Sequence, residues 1–126
     1  MTNHPIRVVV ADDEPDVRTL LRLQLEGDGF AVVGEAADGA EAIELCTANA
    51  PDAVVIDLLM PGTTGFEAIA TLQQSQPTLA IVAYTAVAGD FVRSEMERLR
   101  VPLLLKSGDP TTLTTKLREL VGLRPN

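Results

Sequence analysis

The sequence predicts an α/β fold in which five parallel strands form one open sheet with helices on both faces. Two observations predict it. Five short apolar runs alternate with five helical patterns along the 126 residues, and no repeat, linker or low-complexity segment interrupts them. Strands that alternate with helices in this way pair in parallel through right-handed crossovers. A chain of this length forms one domain. We therefore expect a single domain over residues 1–126, with residues 1–5 and 123–126 flexible.

The first strand and helix come from residues 6–27. Ile6–Ala11 is an almost unbroken run of branched apolar residues, which is typical of a strand that is buried on both faces. Pro15 fits the first turn of the helix that follows, and Gly27 and Gly29 end it. The predicted inward stripe of this helix is Val17, Leu20, Leu21 and Leu25.

Two further strand–helix units follow. The second strand is Ala31–Glu35, and the third is Ala53–Ile56. Each precedes a capping-box spacing that opens a helix, Asp38 with Glu41 and Thr64 with Glu67. The predicted apolar residues of these helices are Ala42, Ile43, Cys46 and Ala50 in the first, and Phe66, Ile69 and Leu72 in the second.

The last two units complete the sheet. The fourth strand is Leu79–Tyr84, and its helix is Asp90–Arg100 with Val92, Met96 and Leu99 inward. The fifth strand, Val101–Leu105, contains Pro102, which cannot donate to a sheet ladder and so predicts an edge position. The final helix opens at Asp109-Pro110, carries Leu113, Leu117, Leu120 and Val121, and ends at Gly122. An edge position for this strand agrees with the flavodoxin-like strand order 2-1-3-4-5, in which ligands bind at the carboxyl ends of the strands, between strands one and three.

Composition excludes several classes of function. The chain has 10 Lys and Arg against 18 Asp and Glu, a net charge of −8, which opposes direct contact with nucleic acid. Cys46 is the only cysteine and His4 the only histidine, which argues against an internal disulfide, a cysteine-based zinc cluster and a serine–histidine triad. No apolar run approaches the ~18 residues of a membrane span. We expect a cytoplasmic protein that does not contact a membrane.

Polar residues stand where the predicted strands end, and together they predict a phosphoryl-accepting site. They are Asp12, Asp13, Asp57, Thr85 and Lys106. Clustered carboxylates repel one another by roughly 3 kcal/mol per pair at an effective dielectric of ~20, so they favour a proton or a cation. Oxygen ligands alone favour Mg²⁺, with Mn²⁺ as a substitute. A carboxylate is then a nucleophile for an aspartyl phosphate, with the amine and the hydroxyl placed to contact phosphoryl oxygens.

Two motifs resemble those of bacterial response regulator receiver domains. VVVADDE, residues 8–14, looks like the opening of that family, and DLLMPGTTG, residues 57–65, looks like its phosphoacceptor loop. Thr85-Ala86 and Lys106 fall at its two remaining positions, so the resemblance covers essentially the whole chain. VGEA, residues 33–36, is similar to receivers that precede DNA-binding domains, which implies transcription regulation.

The resemblance implies a role for each site residue. Asp57 would be the phosphoacceptor, with Mg²⁺ held by Asp12, Asp13, the Asp57 carboxylate and the Leu59 backbone carbonyl. Thr85 and Lys106 would contact the phosphoryl group once it is attached. The donor would be a sensor histidine kinase or a histidine phosphotransfer protein. Catalysis would be limited to phosphorylation and dephosphorylation of the chain itself, so we do not expect an enzyme with other substrates. The face formed by the fourth helix, fifth strand and fifth helix would carry the output, including a dimer.

The sequence departs from the family pattern at several positions. Leu103 stands where an aromatic is usual, Tyr84 directly precedes Thr85, and Ser107 replaces the usual proline after Lys106. These departures leave open whether Tyr84 is a core residue or a displaced switch, and which isomer the Lys106–Ser107 peptide adopts. Leu59 and Val87 would flank the phosphoryl group, and we hypothesise that they hinder an attacking water.

Three alternative functions compete with this interpretation. A haloacid-dehalogenase-type phosphohydrolase needs an Asp-x-Asp spacing that Asp12-Asp13-Glu14 lacks. A flavodoxin needs a Thr-, Ser- or Gly-rich phosphate loop after the first strand, where this chain has acids. A degenerate receiver would act only as a protein–protein interaction module, although all the chemical residues are present. The sequence leaves open whether the output is a separate partner or a linked effector domain.

Overall fold

The expected alternation of five strands and five helices is confirmed. The structure is a computed structural model that describes residues 4–86 and 88–122. Its elements are β1 (Arg7–Ala11), α1 (Pro15–Gly27), β2 (Ala31–Ala36), α2 (Gly39–Asn49), β3 (Ala53–Ile56), α3 (Gly65–Ser75), β4 (Ala80–Thr85), α4 (Asp90–Leu99), β5 (Leu103–Leu105) and α5 (Pro110–Gly122).

The strands form one parallel sheet in the order β2-β1-β3-β4-β5, which confirms the predicted flavodoxin-like topology. β5 lies at an edge, as Pro102 predicted. The Pro102 carbonyl accepts a hydrogen bond from the Ala83 N–H at 2.9 Å, while its own nitrogen has no proton to donate. The carboxyl ends of β1 and β3 are adjacent because Ala11 is paired with Ile56.

Helices cover both faces of the sheet, which explains the unbroken apolar runs in the strands. Alternate residues of each strand enter one of two core layers, so that Val9 packs with α2, α3 and α4 while Val8 and Val10 pack with α1 and α5. All three valines are completely buried. Cys46 lies in the first of these layers, where burial raises the pKa of its thiol to about 12. A thiol with such a pKa is a small apolar core residue, as expected.

Several predicted details are wrong at the level of single residues. β1, β2, β4 and β5 each differ from the predicted bounds by one or two residues, because the ladder begins or ends where the partner strand does. Leu20 is 65% exposed, since Val17, Leu21 and Leu25 already fill the inward stripe of α1. Ala50 lies beyond the end of α2, in a left-handed conformation that ends the helix. Arg100 ends α4 in the same way.

The termini are only partly described. His4 and Pro5 are exposed and lie outside the helices and strands. The rest of the segments expected to be flexible, residues 1–3 and 123–126, lie outside the described residues. Within residues 4–86 and 88–122, no helix combines the length and the apolar character needed to cross a bilayer.

Candidate functional site

The site lies at the carboxyl edge of the sheet, where β1 and β3 deliver their first polar residues. Asp12 follows β1 directly and Asp57 follows β3. The Asp57 N–H donates to the Ala11 carbonyl at 2.9 Å, so the strand pairing continues up to the carboxylates. Because parallel strands end at one edge, residues that are 45 positions apart in the chain meet here.

Three carboxylates converge at this edge, as the sequence predicted. One oxygen from each of Asp12, Asp13 and Asp57 lies within 4.8 Å of the other two. Asp12 and Asp57 are only 1% and 5% exposed, whereas Asp13 faces solvent. Buried carboxylates that repel one another gain from a cation between them. A set of hard oxygen donors with one open side fits Mg²⁺, which keeps part of its water shell in proteins.

Lys106 lies among these acids from the end of β5. Its backbone N–H donates to the Thr85 carbonyl at 2.8 Å, which fixes the residue beside β4. Its Nζ is 2.5 Å from Asp12 Oδ2 and 3.2 Å from Asp57 Oδ2. Burial by itself would lower the pKa of Lys106, but the contacts with the two carboxylates outweigh it and raise the pKa. The ammonium is therefore held in its charged form between the acids.

The Asp57 carboxyl has a raised pKa. Burial is the main cause, and the nearby Asp12 charge adds to it. The Lys106 ammonium and the Leu59 N–H, which donates to Asp57 Oδ1 at 3.3 Å, act in the opposite direction without cancelling it. A carboxylate that is costly to ionise gains when a cation or a covalent partner reduces its charge.

The loop after Asp57 is anchored by alternate side chains. Leu58 and Met60 are buried, while Leu59 between them is 65% exposed at the mouth of the site. Thr64 caps α3 in a reciprocal capping box with Glu67, as predicted. This anchoring presents the Leu59 backbone on the side of the carboxylates.

Gly65 is a residue of this loop whose importance the sequence analysis missed. A Cβ at this position would lie 2.1 Å from the Asp57 carbonyl oxygen, so only glycine allows α3 to begin so close to β3. Gly39 plays a related part, since its N–H donates to the Thr63 carbonyl at 2.9 Å and a Cβ there would lie 2.5 Å from the same oxygen. The sequence does carry a signal for these close approaches. In each helix a glycine stands at the first position, directly after the capping residue.

The structure answers the two questions that the departures from the family pattern left open, the place of Tyr84 and the isomer of the Lys106–Ser107 peptide. Leu103 pairs with Ala83 and packs on the α2–α3–α4 side, whereas Tyr84 pairs with Leu104 and packs on the α1–α5 side. Tyr84 is thus a half-buried core residue on the opposite face from the expected switch position. No cis peptide occurs among the described residues, so the Lys106–Ser107 bond is trans. Val87 lies outside the described residues, and Thr85 is buried at the end of β4.

The comparisons with known proteins agree with this geometry. A family model described as the response regulator receiver domain matches residues 8–118. The protein-glutamate methylesterase/protein-glutamine glutaminase 4 of Myxococcus xanthus is 39% identical over 105 residues, which are 82% of this chain and 30% of that protein. The transcriptional regulatory protein PdtaR of Mycobacterium tuberculosis is 36% identical over 83 residues, 64% of this chain and 40% of that protein.

A solved structure extends the similarity to the whole fold. The two-component response regulator of the LuxR family from Aurantimonas sp. SI85-9A1 is 32% identical, has a TM-score of 0.88, and is matched over 96% of this chain and 88% of that one. The chain spans 30% and 40% of the length of the two curated relatives. Their similarity to this chain therefore concerns a part of each protein.

Proposed function

The chain belongs to the response regulator receiver domain family, and from that premise we propose that Asp57 accepts a phosphoryl group from a phosphohistidine. The donor is a sensor histidine kinase or a histidine phosphotransfer protein. The observation that carries the proposal is the arrangement of Asp12, Asp13 and Asp57 within 4.8 Å, with the Lys106 ammonium between two of them. This arrangement supports the proposal because it places a candidate nucleophile, oxygen ligands that could hold a divalent ion, and a positive charge in one pocket.

The reaction is an in-line phosphoryl transfer. An Asp57 oxygen attacks the phosphorus while the bond from phosphorus to the donor's imidazole nitrogen breaks, and the leaving nitrogen takes up a proton. The product is an aspartyl phosphate. Dephosphorylation is the attack of water on the same phosphorus, with release of inorganic phosphate and the free Asp57 carboxylate. Both steps rest on positioning and charge neutralisation, and neither turns over a substrate other than the chain itself.

Mg²⁺ is the proposed cofactor, with Mn²⁺ as a substitute, and it would neutralise charge on the transferring phosphoryl oxygens. The residues that would hold it are Asp12, Asp13 and Asp57 through their carboxylates and Leu59 through its backbone carbonyl. Lys106, whose ammonium contacts Asp12 and Asp57, would stabilise the negative charge of the phosphoryl group. Its raised pKa keeps it protonated at neutral pH, so it carries a full charge toward the phosphoryl group.

Phosphorylation adds about −1.5 to −2 charges to a pocket that is already acidic. We propose that Thr85 then donates to a phosphoryl oxygen and that Lys106 pairs with another. Both residues lie at the ends of the strands next to α4 and α5, so their displacement shifts the α4–β5–α5 face between two arrangements. That face is the proposed contact for an output partner or a second copy of the chain.

The wider role follows from the family and from the charge. We propose that residues 1–126 form a single cytoplasmic receiver domain that regulates transcription through a partner or a linked output domain. With a net charge of −8, the domain itself contacts neither nucleic acid nor a membrane. The methylesterase and glutaminase named for the Myxococcus relative are activities of that protein, of which this chain matches only 30%.

Acetyl phosphate tests the proposal directly. With Mg²⁺ present, the intact mass of the protein should increase by one phosphoryl group, and the increase should be lost with a chelator or with Asp57→Asn. Asp90→Asn, an exposed acid in the first turn of α4, is the matched control and should be labelled like the wild type. Labelling that persists in Asp57→Asn places the acceptor elsewhere. No labelling of the wild type favours the phosphorylation-independent interaction module.

A further inference from the structure

We propose that Arg18 is a positioning residue for the metal-binding turn after β1, and that its hydrogen bond to the Asp12 backbone sets the affinity of the site for Mg²⁺. Arg18 lies on α1 and is not one of the five residues that the family motifs mark. The inference rests on the proposed function, since it assumes that Asp12 and Asp13 hold the ion.

The Asp12 main chain and side chain are fixed at several points. The Asp12 N–H donates to the Ala36 carbonyl at 2.9 Å, which ties the residue to the end of β2. Asp12 Oδ1 accepts from the Glu14 N–H at 2.9 Å and closes a tight local turn. The remaining main-chain group, the Asp12 carbonyl, accepts from Arg18 Nη1 at 2.7 Å. This carbonyl belongs to the peptide that joins Asp12 to Asp13, so Arg18 acts on the link between two proposed ligands.

Arg18 is itself held in place by β2. Its Nε lies 3.6 Å from Glu35 Oε1, and the other oxygen of Glu35 contacts Arg22 Nη1 at 2.5 Å. The Arg18 side chain is only 18% exposed. A planar guanidinium that contacts a carboxylate along one edge and a carbonyl at its tip has little freedom left to rotate. The position of the Asp12–Asp13 peptide is therefore linked to α1 and β2 through a single side chain.

An ion pair that only joined α1 to β2 would be the simplest interpretation of this network. Pairs of that kind at a surface contribute little to stability. The contact that such an interpretation does not require is the hydrogen bond to the Asp12 carbonyl, where a charged donor gives a short and strong bond. Mg²⁺ demands near-ideal octahedral geometry, so loss of a group that orients its ligands weakens binding.

The test measures Mg²⁺ binding by titration calorimetry, which needs no phosphoryl donor. Arg18→Met keeps much of the side-chain volume and removes every donor, and we expect the Mg²⁺ dissociation constant to rise about tenfold. Arg18→Lys keeps one charged donor group, the ammonium, and should raise the Mg²⁺ dissociation constant less. In the metal-free proteins, the backbone amide resonances of Asp13 and Glu14 should shift in both variants.

Arg118→Met is the matched control. Arg118 also contacts one carboxylate and one backbone carbonyl, both of Asp28, but Asp28 follows the C-terminal end of α1, away from the acidic site. The Mg²⁺ affinity of the Arg118→Met variant should stay within twofold of that of the wild type. An unchanged affinity in Arg18→Met overturns the proposal, and so does a tighter one, which would mean that Arg18 acts only through its charge. If Arg18→Met does not fold, an unchanged affinity in Arg18→Lys overturns it. A wild type that binds no Mg²⁺ refutes the proposed function instead.

Discussion

Lys106 and Asp12 form a contact that a divalent ion would have to share, since Lys106 Nζ lies 2.5 Å from Asp12 Oδ2. The same ammonium is 3.2 Å from Asp57 Oδ2. The site is thus neutralised in part by its own lysine. An internal cation and a bound one compete for the same oxygens, which gives Lys106 opposite effects on metal binding and on phosphorylation.

Lys106→Met should therefore bind Mg²⁺ more tightly and accept phosphate more slowly. Without the ammonium, the negative charges of the carboxylates are no longer partly neutralised. We expect the Mg²⁺ dissociation constant to fall about tenfold, as for the loss of a charge at this distance. Labelling by acetyl phosphate should fall, because the charge that faces the phosphoryl group is gone. Calorimetry and intact mass measure the two effects. Lys116→Met, which removes a surface lysine paired with Glu119, should change neither. Weaker Mg²⁺ binding in Lys106→Met would contradict the competition.

Asp57→Asn should stabilise the metal-free protein at neutral pH but not in acid. The pKa of Asp57 is raised in the folded state, so between the unfolded and folded pKa values the folded chain binds more protons. Stability that is present below the unfolded pKa is then lost as pH rises through the folded pKa. Asparagine removes this loss, so the midpoint of thermal unfolding at neutral pH should be higher in the variant than in the wild type. Thermal unfolding at a series of pH values measures it.

The control variant should change the stability at neutral pH in the opposite direction. Asp109 is exposed, and the Thr111 N–H and hydroxyl, which donate to it, lower its pKa. Its contribution to stability is present above the unfolded pKa and is lost as pH falls. Asp109→Asn should therefore destabilise at neutral pH and have less effect in acid. If both variants shift stability in the same direction, burial is not the cause at Asp57.

Gly65→Ala should disrupt the phosphoacceptor loop. The added Cβ would lie 2.1 Å from the Asp57 carbonyl oxygen, so α3 or β3 must move. Overpacking of this kind costs about 1–3 kcal/mol, and labelling of Asp57 should fall with it. Denaturant unfolding and acetyl phosphate labelling measure the two. Gly27→Ala, in the last turn of α1 with nothing within 4 Å of the new Cβ, should leave labelling unchanged. Normal labelling in Gly65→Ala would show that the loop tolerates the displacement.

Ala50→Gly should stabilise the protein. Ala50 ends α2 with φ 44° and ψ 60°, in the left-handed region that an L-residue with a Cβ adopts at a cost. Glycine avoids that cost, and a gain of about 1 kcal/mol is expected. Ala48→Gly, an exposed position inside α2, should instead lose about 1 kcal/mol, because glycine is a poor helix former there. Chemical denaturation of both variants measures the contrast, and a loss in both would contradict the prediction.

Leu59→Asn should shorten the lifetime of the aspartyl phosphate. Leu59 is 65% exposed beside Asp57, and its apolar side chain gives an approaching water no hydrogen-bond partner. An amide at this position supplies such a partner and would orient the water for attack. We therefore expect phosphate to be lost several-fold faster. Phosphate release after removal of acetyl phosphate measures the rate. Leu23→Asn, at a leucine of α1 that is 60% exposed, should leave the rate of phosphate loss unchanged. An unchanged half-life in Leu59→Asn would count against the hypothesis.

Much of the fold and of the site could be predicted from local patterns. The order of elements was predicted from apolar runs and capping pairs, and the edge strand from Pro102, which directly precedes β5. Each of these signals is contained within a few residues. The convergence of Asp12 and Asp57 followed from topology, since parallel strands end at one edge of a sheet. In both cases the sequence carried the information because the cause was local or a consequence of the alternation itself.

The tertiary structure alone decided which side chains meet. Leu20 matches the helical stripe as well as Leu21 does, but only one of them faces the sheet. Tyr84 shares the α1–α5 face with Ala80 and Val82 of its own strand, and which helices cover that face depends on how the elements pack. The close approach at Gly65 and the bond from Arg18 to Asp12 are set by distances between separately formed elements. Those distances depend on how whole elements pack, and packing is a property of all the contacting residues together rather than of any local pattern.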